Sequence, residues 1–133
     1  MNLIFLLSTD QCPDGWKIFA SNCYKLLNGT FNAKEADEEC RRNGGYLASI
    51  HSSEENDFIH GMTGDVNTWI GGSDAAKEGT WIWLDGTQWN NTNLYPGQPT
   101  TDGNYLEMRS GWNGQWNDKP WNYEIQAICK KGI

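Results

Sequence analysis

The chain has little of what enzymes and nucleic-acid binders display. Only two histidines, His51 and His60, occur in 133 residues, and neither lies near a cysteine in sequence. No two of the four cysteines are two residues apart, so a zinc knuckle lacks its ligand spacing. The 10 basic residues are outnumbered by 17 acidic ones, and no basic run exceeds two, which removes the electrostatic footprint of a nucleic-acid binder. The net charge of −7 is that of a solubilised surface. No Ser-His-Asp or Cys-His set stands out. Glu38-Glu39 and Glu54-Glu55 are neighbouring carboxylates on predicted helices that point different ways, poor geometry for acid–base work. An enzyme is the weakest class. Long apolar runs are also missing: the first eight residues are apolar but too short to span a bilayer, and they lack a basic n-region. Residues 1–9 read as a leader remnant or a first strand, and residues 10–133 as one domain with one core. Membrane insertion is not expected.

What is present is aromatic and glycine-rich. Eight Trp, 5 Tyr, 4 Phe and 15 Gly point to a compact fold rich in turns. The cysteines, Cys12, Cys23, Cys40 and Cys129, are an even set in a small chain, which favours a disulfide framework and an oxidising compartment. Four cysteines allow three pairings. Cys12 with Cys23 closes a hairpin-sized loop. Cys40 with Cys129 closes most of the chain, a constraint of roughly 4–5 kcal/mol on loop-closure entropy. Asn28-Gly29-Thr30 and Asn90-Asn91-Thr92 are acceptor sequons for N-glycosylation.

Residues 15–27 alternate apolar and polar about Ala20-Ser21-Asn22, a hairpin pattern. Residues 30–43 read as a helix with Thr30 or Asn32 as its cap, the latter opening a capping box Asn32-Ala33-Lys34-Glu35, an apolar stripe of Phe31, Ala33, Ala36 and Cys40, and a Gly44-Gly45 stop. A short strand follows at 46–50. A second helix starts at the box Ser52-Ser53-Glu54-Glu55, faces the core with Phe58, Ile59 and Met62, and ends at Gly61 or Gly64. Strands are expected at 67–72, 80–84, 105–108 and 124–129, giving an α+β domain. Trp69, Trp81 and Trp83 are expected in the core. Residues 85–103 show no periodicity; so long a connection, carrying Trp89, Tyr95 and two prolines, reads as functional.

That connection runs into the stretch around which the chain is organised. From Tyr95 to Trp121, amide, hydroxyl and carboxylate oxygens lie on either side of a proline-fixed bend, with tryptophans nearby. This is the chemistry of a hard-cation site able to hold a polyhydroxy ligand.

The residues resemble the C-type lectin-like domain across nearly the whole chain. The carrying pieces are Cys12-Pro13-Asp14-Gly15-Trp16, Cys23-Tyr24, Glu39-Cys40, Gly44-Gly45-Tyr46-Leu47-Ala48-Ser49-Ile50, Trp69-Ile70-Gly71-Gly72 and Trp81-Ile82-Trp83-Leu84-Asp85-Gly86. Pro96-Gly97-Gln98-Pro99, Trp116-Asn117-Asp118 and Ala127-Ile128-Cys129 complete them. The resemblance implies two helices packed on small antiparallel sheets with a long ligand loop, and disulfides Cys12–Cys23 and Cys40–Cys129. Two departures stand out. Relatives carry a further disulfide bracketing the ligand loop; Tyr105 and Trp121 stand in its places, and two packed aromatics would largely restore the roughly 3 kcal/mol forfeited. Sugar-binding members carry Glu-Pro-Asn or Gln-Pro-Asp at the bend, whereas this chain has Gln98-Pro99-Thr100.

By that resemblance Ca2+ would be held by Gln98, Thr100, Asp102, Asn117 and Asp118, and the same side chains would bind the hydroxyls of a galactose-type or microbial-surface sugar. With at most two carboxylates, affinity is expected near the weak end for extracellular modules. Trp112 is the best candidate for a stacking platform under the apolar face of the sugar, the alternative being a loop tryptophan packed on Trp121. The main reading is a secreted, calcium-dependent lectin, with innate immune recognition as its expected setting and homo-oligomerisation open to it. A protein- or surface-binding module on the same fold, needing no calcium, is the alternative; ice binding, known for the fold, is a third. His51 and His60 read as surface residues.

Overall fold

A computed structural model describes residues 11–133; the expectation for residues 1–9 lies outside them. Ten regular elements follow in order: β1 (Lys17–Phe19), β2 (Asn22–Leu26), α1 (Ala33–Arg42), β3 (Tyr46–Leu47), α2 (Ser53–Thr63), β4 (Thr68–Ser73), β5 (Ile82–Trp83), β6 (Tyr105–Arg109), β7 (Gln115–Lys119) and β8 (Gln126–Gly132). A 3-10 turn, Ser110–Trp112, links β6 to β7. The α+β class and both disulfides, Cys12–Cys23 and Cys40–Cys129, are as the resemblance implies.

The last strand is the hub. β8 pairs antiparallel with β2 and with β3, and parallel with β4, which in turn carries β5 and the β6–β7 hairpin. The parallel β4–β8 pair departs from the all-antiparallel expectation. A parallel register between strands so far apart in sequence leaves no local pattern to read.

Period-two alternation along the strands sorts the core onto two faces. Ala127 and Cys129 of β8, Leu47 and Trp69 pack with Ala33, Ala36 and Cys40 of α1. Ile128 of β8, Ala48 and Ile70 face the other way, onto Ile59 of α2 and onto Trp83, Leu106, Met108 and Trp116. α1 forms because Asn32 caps it: its side chain accepts from the Glu35 backbone at 2.8 Å while Glu35 Oε1 accepts from the Asn32 N–H at 3.1 Å. α2 is capped differently from expectation. Ser52 accepts from Glu55 N, but the Glu55 carboxylate turns inward and accepts from the His51 N–H instead.

Glu55 is recruited into the core because β8 brings Lys130 beneath α2. Glu55 Oε2 accepts from Lys130 Nζ at 2.5 Å and from the Tyr24 hydroxyl at 2.5 Å. Burial, with the Glu55 carboxylate beside it, pushes the Tyr24 pKa far above its usual value. Breaking a buried pair leaves an uncompensated charge. Glu55→Ala should therefore cost about 3–5 kcal/mol of unfolding free energy in urea titration. A loss below about 1 kcal/mol would match an exposed ion pair instead and refute this assignment.

Candidate functional site

The aperiodic segment after β5 is pinned at its base by aromatic packing. Trp89 stacks on Trp83 with centroids 4.5 Å apart and meets Trp116 edge-on at 6.2 Å. Leu94 bridges to Trp116, with Tyr95 N donating to Trp116 O and Trp116 N to Asn93 O. The chain then turns at 95–98, where Gln98 N donates to Tyr95 O at 2.9 Å, and enters the cis Gln98–Pro99 bond.

Beyond the proline, one carboxylate shapes the loop. Asp118, 5% exposed on β7, accepts from Thr100 N at 2.7 Å, Thr100 Oγ1 at 2.8 Å and Gly103 N at 3.0 Å. Thr100 Oγ1 in turn accepts from the Asp102 N–H at 3.1 Å. Glycine is required at 103 because a Cβ there would overlap the Lys119 backbone.

The β6–β7 register, Glu107 opposite Asn117, adds a residue that sequence reading missed. Glu107 is fully buried; its Oε2 accepts from Asn117 Nδ2 at 2.7 Å and lies 3.4 Å from Lys119 Nζ. The bond takes one of the two Asn117 amide N–H donors and leaves its Oδ1 for a ligand. Glu107 Oε1 and Gln98 Oε1 are both buried without a hydrogen-bond donor. The signal for Glu107 was available: once Trp116-Asn117-Asp118 is read as a strand paired with residues 105–109, Glu107 faces Asn117.

These elements enclose a cleft of about 330 Å³ lined by Gln98, Thr100, Asp102, Asn117, Asp118, Lys119, Pro120 and Tyr123. It brings together the five side chains named from sequence as cation ligands. Trp112 is not among the lining residues. It stacks on Tyr95 at 4.0 Å, with the Arg109 guanidinium 4.3 Å over its ring. The aromatic at the cleft is Tyr123, 52% exposed, with Lys119 Nζ 4.5 Å from its ring. Beside the cleft, buried Asp74 accepts from Gly79 N and Asn104 Nδ2, and Asn104 also reaches Glu78. Desolvation and the neighbouring Asp74 charge, with Asp118 further off, raise the Glu78 carboxyl pKa.

Every ligating atom on offer is an oxygen, as calcium requires. Among the described residues no three His, Cys, Asp or Glu side chains are grouped to hold a metal. Any cation here would rely on neutral amide and hydroxyl oxygens beside Asp118 and Asp102.

Tyr105 and Trp121 do not form a pair. Tyr105 meets Trp69 edge-on at 6.3 Å, while Trp121 is 41% exposed under Lys34, whose Nζ lies 4.3 Å from the ring. The Trp121 carbonyl instead accepts from Ala33 N at 2.9 Å, tying the segment after β7 to the first turn of α1. Of the expected core tryptophans, Trp69 and Trp83 are buried and Trp81 is partly so. His51 is more than a surface residue: its ring bonds Asn90 Oδ1, Thr87 Oγ1 and Ser49 Oγ. Ser49 also donates to Asp85, where burial raises the carboxyl pKa but hydrogen bonds from Ser49 and Thr87 more than offset it.

The family model for the lectin C-type domain matches residues 30–131. The chain belongs to the C-type lectin domain family. The members are carbohydrate-binding and non-enzymatic. Across 95% of its length the chain is 42% identical to the galactose-specific lectin nattectin of Thalassophryne nattereri, covering 84% of that protein. Its fold superposes with a TM-score of 0.88 on a calcium-independent type II antifreeze protein, at 31% identity over 92% of this chain and 95% of that one. The cow CD23 carbohydrate-recognition domain, crystallised with a GlcNAc2Man3 oligosaccharide, also gives 0.88, at 32% identity over 93% of this chain and 98% of that one.

The Gly103 contact carries a prediction about this lectin domain's loop. Gly103→Ala must push the loop off β7 and loosen its hold on Asp118, at a cost of about 1–3 kcal/mol. Urea unfolding together with amide exchange at Thr100 and Gly103 would show it. Unchanged exchange at both would mean that the loop does not depend on this close approach.

Proposed function

We propose that the cleft at Gln98, Thr100, Asp102, Asn117 and Asp118 binds the vicinal hydroxyls of a galactose-type sugar, including microbial-surface glycans, with the help of a calcium ion. The observation that carries this reading is Gln98 Oε1, buried without a donor on a residue that lines the cleft together with Thr100, Asp102, Asn117 and Asp118. Calcium, when bound, would supply direct coordination to the sugar hydroxyls.

The chain's own residues supply the rest. A carboxylate oxygen can accept twice. Asp118 Oδ2 takes two donors, from Thr100 Oγ1 and Gly103 N, whereas Oδ1 takes only Thr100 N and keeps a lone pair for the ion. Asn117 is oriented by Glu107 so that its carbonyl oxygen stays available. The Gln98 amide both accepts and donates, so it can exchange hydrogen bonds with a hydroxyl while its oxygen meets the ion. The exposed ring of Tyr123, not Trp112, is placed to pack on the apolar face of the sugar. The nattectin likeness supports the galactose class. Two disulfides support an extracellular setting, where innate recognition of foreign glycans takes place.

The same loop favours a second reading on one observation. Both Asp118 oxygens already accept from Thr100 or Gly103, so the loop is held in place by protein hydrogen bonds alone. A calcium-independent protein- or surface-binding module, ice included, would need nothing more.

Calorimetry separates the two. In the first reading calcium binds in the extracellular range of roughly 0.1–1 mM, and Asp118→Ala abolishes both the calcium heat and galactoside binding. Sugar binding that persists in excess chelator, or a parent protein with no calcium heat, would replace it with the second. Thr100→Asp restores a carboxylate at the bend. It should tighten calcium binding about tenfold, because affinity follows ligand charge. It should also lower stability without calcium, because two carboxylates then meet where a hydroxyl had donated. An unchanged calcium affinity in that variant would show that position 100 is not a ligand.

A further inference from the structure

On the other side of the Leu94–Trp116 bridge lies a second cleft, of about 410 Å³, that the ligand-loop chemistry does not use. Its lining is Ser53, Asn56, Asp57, Asn91, Thr92, Asn93, Asn113 and Gln115. Three separate pieces of chain contribute: the first turns of α2, the segment after Trp89, and the turn into β7.

The floor is rigid. Asn56, only 4% exposed, accepts from Trp116 Nε1 at 2.8 Å and donates to Gly114 O at 3.2 Å. Gly114 O also accepts from Asn93 Nδ2 at 3.3 Å. Gly114 has a φ of +78°, and a Cβ there would press on His60 and Asn56, so the turn is fitted to its neighbours. Asn91 Nδ2 is tied to Ile50 O at 3.4 Å. The walls are different. The side chains of Asp57, Asn113 and Gln115 and the Thr92 hydroxyl face the cleft with no hydrogen-bond partner among the described residues.

The chemistry of those free groups selects the ligand. There is no Lys or Arg in the lining, and Asp57 repels anions, so a phosphate, a sulfate or an acidic sugar is excluded. One carboxylate is too few for a cation cage. No large apolar side chain lines the cleft, which removes lipid and hydrophobic peptide. Amides, which donate and accept, and a carboxylate, which only accepts, complement hydroxyls, which do both. The volume falls in the about 300–1,000 Å³ range of small-molecule sites.

We propose that this cleft is a second saccharide subsite, specific for neutral sugars and independent of metal, distinct from the Gln98–Asp118 cleft. Its metal independence follows from its lining. It does not rest on the reading of the first site.

The test is a titration of isotope-labelled protein with methyl β-galactoside and methyl α-mannoside in excess chelator, followed by amide NMR. Thr92 is also the hydroxyl of the Asn90-Asn91-Thr92 sequon, so the protein is made without N-glycosylation. Side-chain amide signals of Asn91, Asn93, Asn113 and Gln115 are expected to shift on addition of at least one of the sugars. Asp57→Asn and Gln115→Ala should each weaken the binding about two- to tenfold, the worth of one hydrogen bond. Asp57 is exposed on α2 and partnerless, so its variant keeps the fold even if Gln115→Ala does not. Absence of these shifts up to the solubility limit of both sugars would overturn the proposal. Shifts confined to residues 98–103 and 117–119 would overturn it equally. Either result leaves the calcium arm of the first site to be judged by its own calorimetry.

Discussion

Strand β8 must return to the middle of the sheet, and everything else is arranged around that closure. It binds β2, β3 and β4 at once, so its entropy cost falls on the whole chain. Two ties on opposite faces hold it. On the α1 face Cys129 is bonded to Cys40 across a separation of 89 residues, a closure worth roughly 4–5 kcal/mol by chain entropy. On the α2 face Lys130 meets the buried Glu55, and the Tyr24 hydroxyl completes that carboxylate's shell. Once β8 is fixed, β4 and β6 are in register beside it, and β7 is delivered with Asn117 and Asp118 at the edge where the ligand loop folds.

The loop then needs its own anchors, since neither of the two disulfides, Cys12–Cys23 and Cys40–Cys129, brackets it. Three weaker contacts share the work. Trp89 inserts against Trp83 and Trp116, Asp118 gathers three donors from residues 100–103, and the Trp121 carbonyl caps a free N–H of α1. Each is local, so each holds one part of the loop. A single covalent bracket would have constrained the whole. Trp121 and Tyr123 stand exposed after β7, each with a lysine ammonium over its ring, and Tyr123 lines the cleft.

A fold shared with a carbohydrate-recognition domain and with a calcium-independent antifreeze protein does not by itself choose a function. The choice lies in the oxygens. Asp118, Gln98, Asn117 and Thr100 converge, but Thr100 offers a neutral hydroxyl, so the field that would hold a dication is carried by few charges. Asp74 and Glu78 stand behind it, bound to Asn104, and add negative potential without entering the cleft. The amide-lined cleft beyond the Leu94–Trp116 bridge works on the opposite principle, with hydrogen bonding and no concentration of charge.

Sequence alone determined the fold class, both helices, the hairpin, most strands and the five oxygen-bearing side chains of the first cleft. Those features are local or carried by motifs: a capping box, an alternation, a Gln-Pro-Thr bend, a Trp-Asn-Asp segment. Only the tertiary structure decided the rest, because it depends on strands distant in sequence. The parallel β4–β8 register, the burial of Glu107 opposite Asn117 and the pairing of Glu55 with Lys130 all arise from long-range pairing. So does the presence of Tyr123, and not Trp112, in the lining of the cleft. Trp112 stacks on Tyr95 and has the Arg109 guanidinium over its ring, and no spacing in the chain announces those contacts.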